Sequence, residues 1–201
     1  MKKLFFLLFF LLFFFSPLII NAQSGIYDEL IVGFDAESKA LTGVFKFTDY
    51  QANGKTNTCE FYIVGTLEAE NKPFMVNLYS LDYQLLGYGE MRYSPKSVSY
   101  HLSLEKNIGQ CNQIMRGFVG EGFEFYQKYG MDWKAVRLVK SPKAYFYSLP
   151  KETSKGKAYI IKGDWIGITK MQYNWIYADY ITPNTKKFTK VWVKKSDLMA
   201  E

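Results

Sequence analysis

Residues 160–168 read I-I-K-G-D-W-I-G-I, a Gly-Asp turn signal followed by an alternating run. Apolar residues around such a turn mark a hairpin. Side chains alternate across a strand, so Ile166 and Ile168 share one face while Trp165, Gly167 and Thr169 share the other. In a unit this small the two isoleucines must supply core, and Val193 and Leu198 are their expected neighbours. Trp165 is therefore expected to point away from that core, either packed under the first loop of the unit or partly exposed.

The same period of two runs through the rest of the chain. Upstream, the text is a series of short runs separated by turn signals: Y-D-E-L-I-V-G-F, L-T-G-V-F-K-F-T-D-Y, T-C-E-F-Y-I-V-G-T-L, F-M-V-N-L-Y-S-L, L-G-Y-G-E-M-R-Y, S-V-S-Y-H-L-S-L, G-F-E-F-Y-Q and W-K-A-V-R-L-V. None sustains a 3.6-residue period, so helix is scarce. The fold class is all-β. Residues 23–137 form an antiparallel barrel or sandwich, with W-K-A-V-R-L-V as its last strand, and residues 138–201 form a second, smaller β unit. The Gly25-Ile26-Tyr27 opening resembles a lipocalin start, which would imply an enclosed ligand cavity.

From Val139 four pieces follow in order: V-K-S-P-K-A-Y-F-Y-S-L-P, K-A-Y-I-I-K-G-D-W-I-G-I-T, N-W-I-Y-A-D-Y and V-W-V-K-K-S-D-L. Together they resemble a bacterial SH3 (SH3b) domain and cover about a third of the chain. Two departures stand out. Val191 replaces the glycine that often precedes the final tryptophan, and Phe146-Tyr147-Ser148 replaces the commoner Val-Arg-Ser, which removes any ligand contact made by that arginine. The resemblance implies a small SH3-like barrel and an aromatic groove for an extended peptide, formed by Tyr145, Tyr147, Trp175, Tyr177 and Trp192. Flat rings suit that task because they bury area at little cost in side-chain entropy.

The N-terminal 22 residues combine Lys2-Lys3, a long apolar run, a Ser16-Pro17 break and a small residue, Ala22. They read as a secretory signal peptide, leaving no stable membrane anchor after cleavage near Gln23. Localisation is then periplasmic or secreted, and nucleic acid is excluded as a partner. Charge divides along the same chain: residues 23–136 carry 10 Lys/Arg and 14 Asp/Glu, a net −4, and residues 137–201 carry 13 and 5, a net +8. The basic half would attract an anionic partner, such as a peptidoglycan peptide or an envelope protein.

Cys59 and Cys111 are the only cysteines. In an oxidising compartment two cysteines read as one disulfide, and closing this loop stabilises by about 4 kcal/mol in the chain-entropy account. The single histidine, His101, shares a strand face with Ser99, Ser103 and Glu105. Same-face neighbours lie roughly 7 Å apart, beyond the reach of a nucleophile and its base, so a solvated polar face is expected instead of a catalytic triad. One histidine and an oxidised cysteine pair do not make a zinc site, and no metal, cofactor or catalytic set is expected. The expected function is a non-enzymatic envelope binding protein. An inhibitor or immunity-type protein acting on a wall hydrolase, a lipocalin-like carrier and a carboxylate glycosidase are the alternatives.

Overall fold

The computed structural model describes residues 23–182 and 187–200. The signal-peptide reading of residues 1–22 lies outside them.

Eight antiparallel strands close into a barrel: β1 (Gly25–Tyr27), β2 (Leu30–Phe34), β3 (Ala40–Tyr50), β4 (Thr56–Thr66), β5 (Pro73–Tyr79), β6 (Leu85–Ser94), β7 (Ser99–Leu104) and β8 (Phe123–Gly130). Each strand pairs with the next, and β8 returns to β1, Tyr129 opposite Ile26. The barrel-or-sandwich alternative therefore resolves as a barrel. The alternation places Tyr27, Leu41, Phe45, Phe61, Ile63, Leu78, Met91, Tyr100 and Leu102 inside, all fully buried. One end is stoppered by the segment between β7 and β8. There a single turn of helix, α1 (Cys111–Ile114), is followed by Phe118, which inserts among Phe45, Phe61 and Phe125 at ring separations of 5.2–6.3 Å. Cys59 and Cys111 form the expected disulfide, which ties α1 to β4.

The remaining strands are β9 (Ala135–Leu138), β10 (Ala144–Tyr147), β11 (Lys155–Ile160), β12 (Trp165–Gln172), β13 (Trp175–Thr182) and β14 (Lys187–Lys194). They form one antiparallel sheet in the order β11-β10-β14-β13-β12-β9. Its core is built of small and branched residues, including Ala135, Ala144, Ile166, Ile168, Ile176, Ala178, Val193 and Leu198. Ile166 and Ile168 thus lie where the opening stretch put them, beside Val193 and Leu198.

One strand differs from its sequence-based placement. The run expected to finish the first unit pairs instead with β12, Leu138 opposite Trp165 and Ala135 opposite Ile168. All four residues of β9 are buried because the strand has cover on both sides. Ala135 belongs to the second core, whereas Val136 and Leu138 pack with Val44 and Tyr62 on the outside of the barrel. Hydrogen bonds lock this contact: the Val136 N–H donates to Thr42 Oγ1 at 2.8 Å, and the Tyr62 hydroxyl donates to the Val136 carbonyl at 2.9 Å.

The seam between the units also settles Trp165. Its ring packs edge-on to Trp133 at 6.0 Å and is half-buried against the barrel-facing cluster. Trp133 lies over Gly167, where a Cβ would overlap the indole, and its N–H donates to the buried carboxylate of Asp179 at 2.9 Å. Gly167 is thus required by close packing. At the rim, Lys162 pairs with Asp82 at 2.6 Å.

Candidate functional site

On β13 the residues Ile176 and Ala178 enter the core, so Trp175, Tyr177 and Asp179 occupy the opposite, outer face. The outer face of β14 carries Trp192 and Lys194, since Val191 and Val193 point inward. On β10, Ala144 and Phe146 belong to the core side, which leaves Tyr145 and Tyr147 outside. This outer face is the one on which the barrel sits. It is covered around Gly167, Trp133, Asp179 and Ile181, and Phe188 of β14 meets Tyr129 of the barrel; farther along, Tyr145, Trp175, Tyr177 and Trp192 are half-buried.

The five aromatic residues expected from sequence lie on that one outer face, Tyr147, Trp175, Tyr177 and Trp192 around β14 and Tyr145 apart, beside β11. Tyr177 and Trp192 are opposite each other in register, with ring centroids 4.9 Å apart. Tyr147 is opposite Trp192 on the other side of β14 and meets the edge of Trp175 at 4.7 Å. Tyr145 packs against Tyr159 of β11 at 5.6 Å. Their exposures are unequal. Tyr147 is only 4% exposed, so it supports Trp175 from beneath instead of presenting a ring to solvent. Tyr159, which sequence reasoning placed in a strand without a role, is 44% exposed and extends the face.

Lysines decorate the same face. Lys155 stands 3.5 Å from the centre of the Tyr145 ring and Lys143 stands 4.7 Å from that of Tyr159, both within cation–π range. Lys194 lies over Tyr147 at 5.9 Å and pairs with Glu152 at 2.6 Å. The hydrogen bond to Glu152 holds the Lys194 ammonium above its ordinary pKa.

Beside Trp175 the face ends in a cleft of about 770 Å³. It is lined by Trp175, Asn174, Lys140, Lys151, Glu152 and residues of the final segment, Lys194 and Lys195 among them. Two of its lining residues, Arg137 and Leu198, are buried. Burial lowers the Arg137 pKa, against the opposing pull of the Tyr62 and Tyr83 hydroxyls. The cleft went unseen in the sequence because its cations come from β9, two loops and the chain's last strand, far apart in the text.

The serine and histidine on β7 have other partners. Ser99 is fully buried, not solvated, and its hydroxyl donates to the Glu124 carboxylate on β8. His101 Nε2 contacts the Glu121 carbonyl at 2.9 Å. The expected solvated face is corrected in this respect: Ser99 is covered because β8 brings Glu124 across it. No group of three or more His, Cys, Asp or Glu side chains gathers among the described residues.

No protein-family model, no curated protein and no solved structure matches this chain.

Proposed function

We propose that the protein is an exported, non-enzymatic binding protein of the cell envelope. Its second unit holds an extended, anionic partner across Trp175, Tyr177 and Trp192, with Tyr147 supporting Trp175. The observation that supports this reading is the uneven cover of one sheet face: the barrel packs on its β9–β12 end and on Ile181 and Phe188, while Trp175, Tyr177 and Trp192 beyond it stay partly exposed. Partly exposed rings interleaved with lysines suit a chain that offers backbone and carboxylates. The SH3b resemblance and the leader-like N-terminus point the same way. A peptidoglycan peptide or another envelope protein is the partner in this reading. The rings that fill the barrel leave less reason to read it as a lipocalin-like carrier.

Retention of the mature chain on purified sacculi and in envelope extract tests the proposal. Trp192→Ala or Trp175→Ala, with folding confirmed by circular dichroism, should weaken retention by about 2 kcal/mol or more, as loss of an aromatic anchor does. If the wild type retains nothing, or the folded variants bind as it does, the aromatic face is not the binding surface.

A further inference from the structure

We infer that the outer surface of the β10–β11 hairpin docks on an anionic phospholipid bilayer. The inference goes beyond the peptide-binding reading and uses another part of the sheet, the edge opposite β9 in strand order.

Residues 139–162, which contain the hairpin, carry six lysines and a single acidic residue, Glu152. Lys162 is paired with Asp82 and Glu152 with Lys194, each at 2.6 Å. Asp164, the next carboxylate along the chain, accepts from the Ile161 N–H at 2.9 Å. Lys143, Lys155 and Lys157 are exposed and form no ion pair with any described residue. Their placement follows from the strands. Ala144 and Ile160 face each other in register and enter the core, so Lys143, Tyr145 and Tyr159 beside them take the outer face. Two cation–ring contacts cross there between the strands, Lys143 over Tyr159 at 4.7 Å and Lys155 over Tyr145 at 3.5 Å. A ring, unlike a carboxylate, leaves the ammonium its charge.

Two features select a lipid surface. The cations are strung along an edge strand whose first five residues are all exposed, which suits a charged plane better than a small anion. Apolar side chains accompany them: Leu149, Tyr159 and Ile161 are 49%, 44% and 52% exposed. A bilayer interface takes both kinds of group, phosphates meeting the ammoniums while rings and aliphatic chains settle at headgroup depth. An anionic polysaccharide offers no apolar layer for the latter. The division of charge adds direction. An anionic leaflet repels residues 23–136, net −4, and attracts residues 137–201, net +8, so the second unit leads.

The test sediments the mature chain with phosphatidylcholine vesicles, with and without about a third of phosphatidylglycerol, at low and high salt. The anionic lipid should raise partition about tenfold or more, and salt should reverse the gain. Lys143→Gln combined with Lys157→Gln should lower partition about twentyfold. The equal charge change Lys72→Gln with Lys96→Gln, at exposed barrel positions, should lower it less than about twofold. Trp192→Ala should leave it unchanged, which separates this surface from the one proposed for the peptide. No gain with phosphatidylglycerol, an equal loss in both lysine pairs, or a loss in Trp192→Ala as large as in the hairpin pair would overturn the inference. So would retention on an anionic polysaccharide with none on the vesicles, which would assign the hairpin to a glycan.

Discussion

The barrel and the second sheet use aromatic residues in opposite ways. In the barrel, Phe45, Phe61, Phe118 and Phe125 fill the lumen, and Tyr27, Tyr93 and Tyr100 pack beside them edge-on and tilted. In the second sheet the buried core is alanine, valine, isoleucine and leucine, with Phe146 and Tyr180 packed at its margin and most of the rings on the outer face. Enclosed volume explains the difference. Eight strands leave a lumen that side chains can just fill, and large rings fill it best. The six-stranded sheet encloses no such lumen, and its buried side is filled by smaller groups. Aromatic residues there contribute to contacts at the surface, with the barrel at one end and with solvent at the other.

The contrast can be broken at several points. The largest expected loss follows from replacing Cys59 and Cys111 together by serine, about 4 kcal/mol in urea unfolding, because the stopper is freed from β4. Phe118→Ala should cost about 3–4 kcal/mol by the same measurement, as deletion of a buried ring from a packed core does. Neither change should alter peptide binding at the second unit if the barrel rings serve stability alone. Trp133→Phe leaves Asp179 buried without its indole donor and should cost about 2–3 kcal/mol, with the calorimetric transition broadening as the units uncouple. Tyr177→Ala should cost less than about 1 kcal/mol of stability, since its ring is partly exposed, while weakening binding.

The division between units can be sharpened by truncation and by pH. A fragment of residues 131–201 should unfold cooperatively, whereas residues 138–201 should not, because the latter lacks Trp133 and all of β9 but Leu138. Failure of the longer fragment would mean that the second sheet needs the barrel to fold. Burial raises the pKa of Tyr27, Tyr62 and Tyr100 above that of free tyrosine. A raised folded-state value stabilises fully below the unfolded pKa of about 10 and is lost as pH rises through it toward the folded values. Tyrosinate absorbance should therefore show these residues ionising only with alkaline unfolding.

Much of this fold is legible in the sequence. Alternation sets the strands, and the two cysteines identify each other by exclusion; Gly163-Asp164 marks a turn, but β11 and β12 on either side of it pair with β10 and with β13 and β9, so the hairpin expected there is not formed. Ile166 and Ile168 are inward because their alternation has only one consistent reading. The partner of β9 is not legible: V-R-L-V is apolar at three of four positions, and a strand buried on both faces carries no polarity to say which neighbour it chooses. The aromatic face is legible as a set but not in depth. Tyr147 reads like Tyr145, and only its register opposite Trp192 puts it beneath Trp175. The cleft is illegible because lysines more than fifty positions apart converge through topology.

The two ends of the second sheet have a further consequence for how copies of the molecule behave when crowded. A closed barrel offers no strand edge, and the edge of β9 is occupied, its Val136 N–H and carbonyl held by Thr42 and Tyr62. Among the described residues, β11 is the one strand left with an unpaired side. It carries Lys155 and Lys157 in five consecutive exposed residues. Two copies meeting there would set ammonium against ammonium, a repulsion that blocks the edge-to-edge sheet extension from which aggregates grow.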